Sequence, residues 1–231
     1  LLMKEERDRR DFRAVTASIR AVPSIVRTAL ATIRTSAALA SLIAVEFFWG
    51  FGMTSFESLT PPKLAETTDS AATAASLFGP VVTVAWIASA IGAAIPPLLS
   101  QRIGSTRTAM VLHLAQALLV TGLALATSIT GVAAFYILTM TTHGAANPVY
   151  QHLLHRHADA SHRATIVSAA SMVGHPGAAL GGIALGALAD RTSVSTAIIA
   201  GAAALAITIP LYIPVKRSAG QRDVVVGAEI T

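Results

Sequence analysis

Residues 108–155 read TAMVLHLAQALLVTGLALATSITGVAAFYILTMTTHGAANPVYQHLLH, 48 positions without one Asp, Glu, Lys or Arg. A helix rising about 1.5 Å per residue needs roughly 20 apolar residues to cross a hydrocarbon core about 30 Å thick. The stretch is therefore long enough for two crossings, folded back at a turn over residues 127–131. Outward from it, residues 70–101, 164–189 and 192–215 are equally free of charge over 32, 26 and 24 positions. A sixth run, from Ser36 to about Thr60, is interrupted by Glu46 and Glu57. The expected spans are 36 to 60, 76 to 100, 107 to 127, 131 to 153, 164 to 188 and 193 to 215. The fold class is all-α, a polytopic membrane protein with six transmembrane helices.

Composition agrees. Of 231 residues 53% are hydrophobic and only 13% charged, with mean hydropathy +0.63, far from the mixed usage of a soluble domain. The absence of cysteine argues against a disulfide-stapled secreted protein. Lys4 to Arg13 is too charged for a signal peptide. Continuous rather than alternating apolar runs argue against a β-barrel. The net charge of +5 would suit nucleic acid only if the basic residues gathered on one soluble surface, and they do not, so no nucleic-acid partner is expected.

The basic residues instead sort by side. Fifteen of the 17 fall in residues 1–35, in the second-to-third loop (Arg102, Arg107), in the fourth-to-fifth loop (Arg156, Arg163) and in the tail (Lys216, Arg217, Arg222). Only Lys63 and Arg191 fall on the other side. The positive-inside rule then places both termini in the cytoplasm. The Ala-rich, cysteine-free chain fits a bacterial inner membrane. Three regions follow: a cytoplasmic segment over residues 1–35, a six-helix membrane domain over 36–215 and a cytoplasmic tail over 216–231. Within the first, Phe12, Val15, Ile19, Val22, Val26, Leu30 and Ile33 recur at helical spacing, which predicts a helix lying on the membrane surface, kinked at Pro23.

Leu99-Ser100-Gln101-Arg102-Ile103-Gly104 after the second span and Leu188-Ala189-Asp190-Arg191-Thr192-Ser193 after the fifth are offset by 89 residues. Each follows the middle helix of a triplet, yet the charges put them on opposite sides, as two triplets of inverted topology require. Gly186-Ala187-Leu188-Ala189-Asp190-Arg191 also matches six positions of the loop signature of the major facilitator superfamily. The copy near residues 97–107 keeps Arg102 and Gly104 but has Pro97 and Gln101 where that signature has glycine and aspartate. The chain thus resembles the C-terminal six-helix half of a major facilitator superfamily transporter, two inverted three-helix repeats. The resemblance implies a small-molecule substrate, the lipid bilayer as surroundings, and a missing N-terminal six-helix half as partner. It also implies that the first helix of each triplet lines the cavity and the third faces lipid.

The polarity follows that pattern. At about 100° per residue Glu46, Gly50, Met53 and Glu57 share a sector of about 60° on the first span. On the fourth, Tyr136, Thr139, His143, Asn147 and Tyr150 share about 80°. Glu46, about ten residues into its span, is costly when ionised and marks a proton or substrate path; its alternative role is that of a hydrogen-bonded structural acid. Glu57 is nearer the outer end. His143 and Asn147, one turn apart and followed by Pro148, point to cavity lining or to interhelical hydrogen bonding. Ser168, Ser171 and His175 share a face of the fifth span, whereas His113 and Gln116 on the third read as structural. Gly92 with Ala88, Gly177 with Gly181, and Gly182 with Gly186 read as close helix contacts. His152, His155, His157 and His162 cluster at one end, but no cysteine or carboxylate completes a zinc spacing, so no metal and no cofactor are expected. Enzyme motifs are absent.

Two functions follow. The first is a secondary transporter half moving a small amphiphilic compound, in the direction of efflux, by alternating access, with protons through Glu46 or His143 as the simplest coupling ion. The second is a complete six-helix protein acting as a homo-oligomeric channel or membrane scaffold.

Overall fold

The computed structural model describes residues 31, 33–68, 70–158 and 163–228; the expected surface helix lies almost wholly outside them. Among the described residues the fold is helical without strands. Eight helices follow in order: α1 (Ala37–Glu57), α2 (Thr60–Ala65), α3 (Ala71–Gly92), α4 (Ile95–Ile103), α5 (Ser105–Leu125), α6 (Ile129–His157), α7 (Arg163–Arg191) and α8 (Val194–Ala228). Six are 21 residues or longer. They correspond to the six expected crossings, and five of them are long and apolar enough to cross a membrane by length and composition. The sixth, α6, has the length but carries the tyrosine, threonine, histidine and asparagine stripe that lowers its hydropathy.

Local chemistry sets the boundaries. Ser36 and Ser128 cap α1 and α6, their hydroxyls accepting from Leu39 N–H and Gly131 N–H, each satisfying one orphan donor of the first turn. The expected crossing over 76–100 is two helices: α3 stops at Gly92, and α4 starts with Pro96-Pro97 in its first turn. Proline has no N–H and fits only that first turn, so the pair restarts the helix. Pro61-Pro62 does the same for α2, cutting the first span at Glu57. The turn between the third and fourth crossings is Ala126 to Ser128, shorter than expected. At the far end α8 runs unbroken through residue 216, so no break separates the last crossing from the tail.

Side-chain registers fix the helix directions. Phe47 lies against Gly177 and Phe51 against Gly181, so α1 and α7 run parallel. Ser55 meets Gly201 and Lys63 meets Ser195, so α8 is antiparallel to α1. Ser195 Oγ donates to Ala124 O at 2.8 Å while His113 lies 5.3 Å from Tyr212, ring to ring, so α5 is antiparallel to α8. Phe78 faces Tyr136, and Gly144 meets the Ser89 carbonyl, so α3 and α6 run parallel. The first triplet therefore reads up, down, up and the second down, up, down: the two are inverted copies.

The packing carries the same symmetry. Helix α1 packs mainly against α7 and α8 of the second triplet, α6 mainly against α3 and α5 of the first, and the two third helices, α5 and α8, pack together. The third helices are thus half interior: Leu112, His113, Gln116 and Val120 of α5 are buried while Val111, Leu114 and Leu118 are exposed on its other face. An exposed leucine row is costly in water and suits hydrocarbon. Two apolar clusters hold the ends of the bundle, one around Leu39, Leu42, Leu153 and Tyr212, the other around Phe56, Leu123, Met140 and Leu205.

Candidate functional site

Where α1 and α6 cross antiparallel, their polar stripes meet as a seam. At one end Tyr150, buried, donates its hydroxyl to Leu42 O at 3.2 Å and also faces the Glu46 carboxyl. Midway, the Trp49 indole stacks on the His143 ring at 5.2 Å with 21° between planes, and Phe56 meets the same imidazole edge-on at 6.0 Å. At the other end Tyr136 stands within electrostatic reach of Glu57. Sectors read separately on two helices therefore converge.

Glu46 is half-buried and borders two clefts. On one side, between α1 and α6, it shares the wall with Trp49, His113, Asn147, Tyr150 and Gln151. On the other, between α1 and α7, it shares the wall with Trp49, Met53, Ser171 and His175. The carboxyl fits there because Gly174 of α7 lies beneath it: a Cβ at that position would stand 2.9 Å from Glu46 Cγ and 3.1 Å from Oε1. A third cleft, between α3 and α6, is lined by Trp86, Ser89, His143 and Asn147. Because neighbouring clefts share Glu46, Trp49 or Asn147, they form one continuous face in the order α7, α1, α6, α3.

The expected residues divide on this face. Glu46, Met53, His143, Asn147, Tyr150, Ser171 and His175 line it. Thr139 does not: it is fully buried, and its hydroxyl has no hydrogen-bond partner among the described residues, because it sits at the edge of its sector and is turned into the bundle. Tyr136 is likewise buried, and Glu57 ends α1 half-buried. His175 is exposed, with Nδ1 2.6 Å from Ser171 O. His143 Nδ1, Tyr212 Oη and both polar atoms of Gln116 are buried without partners among the described residues, and they stand around mid-length of their helices. Pro148 does not break α6, which runs through it. Trp49, Trp86 and Tyr212 were not expected here. Trp49 carried a signal, being one turn from both Glu46 and Met53, but it reads as an ordinary apolar residue in a span.

The loop motif occupies a different place. Asp190 and Arg191 are exposed at the C-terminal end of α7, and a Cβ on Gly186 or Gly182 would meet nothing within 4 Å, so these glycines make no helix contact. The other copy has the structural demand: Gly104, between α4 and α5, has φ +81° and ψ 151°, a region open in practice to glycine alone. Arg102, exposed, is in the last turn of α4. In the histidine cluster, His152 and His155 are exposed while His157 is turned inward, its Nε2 3.0 Å from Ser218 Oγ; His162 lies outside the described residues. No group of three metal-ligating side chains converges among the described residues.

Two inverted helix triplets, and a polar seam where their first helices cross, are the setting for the comparison with known families. Residues 1–182 match the model of the Major Facilitator Superfamily. The chain belongs to the Major Facilitator Superfamily. No curated protein matches it. Members of this family are transporters, and the chain is a multi-pass membrane protein of that kind.

Proposed function

We propose that this major facilitator chain contributes one six-helix half of a proton-coupled transporter that exports a small amphiphilic compound by alternating access. The observation that carries this reading is the position of Glu46, a lone carboxylate at mid-span with a cleft on each side. An intramembrane acid is expensive unless it faces a cavity or a proton path, and here it faces two cavities. The groups around it come from every neighbouring helix: Tyr150 on α6, His175 on α7, Tyr212 on α8 and, in the same cleft, His113 on α5. None is a fixed cation, so the carboxyl is free to exchange its proton for a substrate contact.

In this reading the face made by α7, α1, α6 and α3 is completed by a second six-helix half, and rocking of the halves exposes it to each side in turn. The end bearing Arg34, Arg102, Arg107, Arg156, Arg163 and Lys216 is cytoplasmic, in the inner membrane of a bacterium. Such a chain has no enzymatic role. The test is flux in proteoliposomes under an imposed pH gradient. Glu46→Gln is expected to reduce pH-driven substrate movement more than about tenfold relative to the wild type under the same gradient. Ion conductance that follows voltage and ignores a pH gradient would instead support the homo-oligomeric channel.

A further inference from the structure

The chain has two tryptophans, and both are on the open face: Trp49 borders the two clefts that hold Glu46, and Trp86, 56% exposed, borders the cleft that holds His143 and Asn147. Among the described residues no lysine or arginine lines any of these three clefts. Apart from Lys63, the basic side chains among the described residues stand at the helix ends, in residues 34, 102, 107, 156, 163, 191, 216 and 217. Lys63, the one buried lysine among the described residues, is at the outer end and is bound to Ser195 Oγ at 2.7 Å and Glu66 at 3.1 Å. What remains in the clefts is one carboxylate, the two tryptophan rings, with His143 stacked on Trp49, the imidazoles of His113 and His175, and the polar groups of Ser171, Asn147, Gln151 and Tyr150.

We infer that the face is a site for a monovalent lipophilic cation, held by the Glu46 carboxylate and the Trp49 ring, with Trp86 across α6. This rests on the reading of Glu46 as a pathway residue and names the class of substrate. A cation in a low-dielectric cleft gains from a single opposite charge and from the negative face of an indole, which is the best of the aromatic partners. An anion of equal size meets only Glu46, with no positive side chain to offset it. A neutral compound gains at most a hydrogen bond to the carboxylate, without the attraction between opposite charges. Asn147, Gln151 and Tyr150 leave the cleft wide enough in chemistry to accept different apolar bodies around the charge. His175, Tyr150, Tyr212 and His113 are the titratable groups that face Glu46, so binding is measured near pH 8, above the ordinary range of imidazole.

The probe is radiolabelled tetraphenylphosphonium, bound to the folded protein in detergent, with tetraphenylborate as the anion of the same shape. Saturable binding is expected, with tetraphenylborate at least about tenfold poorer as a competitor. Glu46→Gln should weaken binding about tenfold and Glu46→Asp should restore most of it. Trp49→Leu should weaken it roughly threefold to tenfold, and Trp49→Phe should lose less. Should the Glu46 variants fail to fold, the Trp49 pair decides alone. Equal competition by tetraphenylborate, unchanged affinity in Glu46→Gln, or no saturable binding would each overturn the inference. Its failure is separable from that of the transport reading: Glu46-dependent, pH-driven flux of a neutral or anionic compound would leave transport standing and remove the cation site. Saturable binding at Glu46 with no vectorial flux would do the reverse.

Discussion

The interfaces α1·α7 and α3·α6 are counterparts under the exchange of the two triplets, and glycine builds both. At α3·α6 the space beside Gly92 is filled by the Thr141 carbonyl and that beside Gly144 by the Ser89 carbonyl, backbone against backbone. At α1·α7 the same holds for Gly177 against Phe47 O and Gly181 against Phe51 O, but Gly174 differs: its open side holds the Glu46 side chain. Close packing is common to both crossings, and the carboxylate is at one of them. Helix α6 carries no acid at all, and it contributes Tyr136, His143, Asn147 and Tyr150 to the seam. A repeated scaffold thus sets the approach of the helices, and at one of the two crossings a glycine meets the Glu46 side chain instead of a backbone.

That contrast can be broken at its backbone contacts, where the effect is largest. Gly144→Ala places a methyl against the Ser89 carbonyl, an atom that cannot move without shifting α3. Overpacking of this kind costs about 1–3 kcal/mol, and it should appear as a lowered unfolding temperature of the protein in detergent. The midpoint of the wild type retained in Gly144→Ala would show that the α3·α6 crossing is looser than its geometry. Gly174→Ala is expected to be milder for stability, below about 1 kcal/mol, because the neighbour that must give way is the glutamate side chain, from Cγ outward, rather than backbone. Its effect belongs in function. Displacing the Glu46 carboxyl should change the pH dependence of flux while the unfolding midpoint holds, and the opposite pattern would mean that Gly174 is packing alone.

Much of this architecture is legible in the chain itself, and the limits are instructive. The number of crossings and the basic end follow from hydropathy and charge, because a bilayer imposes a length and a side on every segment. Helical arithmetic placed Glu46 and Asn147 on their sectors, since the 3.6-residue period needs no tertiary information. It could not tell that the two sectors face each other, nor that Thr139 at a sector edge turns inward, since both depend on how α1, α3, α5 and α6 cross. Counting apolar residues ran through Pro96-Pro97, where the missing N–H restarts the helix. The same count took Trp49 as lipid-compatible mass, although its indole stacks on His143. In the loop motif the residues that match best, Asp190 and Arg191, are solvent-exposed, while the backbone requirement falls on Gly104 of the weaker copy.

Gly182 gives the smallest expected effect and the sharpest control on the comparison. It shares α7 with Gly174, Gly177 and Gly181 and repeats with Gly186 at the four-residue spacing that reads as a helix contact. Yet a Cβ there meets open space, and the surrounding surface carries exposed Leu180 and Ile183. With no steric cost, Gly182→Ala should change stability only through the helix's intrinsic preference for alanine, a gain of roughly 0.5–1 kcal/mol. Measured beside Gly144→Ala by the same unfolding assay, it should move the midpoint in the opposite direction. In this chain, then, four-residue glycine spacing marks a helix crossing only where a partner backbone occupies the space. A clear loss of stability in Gly182→Ala would instead mean that this face of α7 is covered when the protein is assembled, and the open face would have to be redrawn to exclude it.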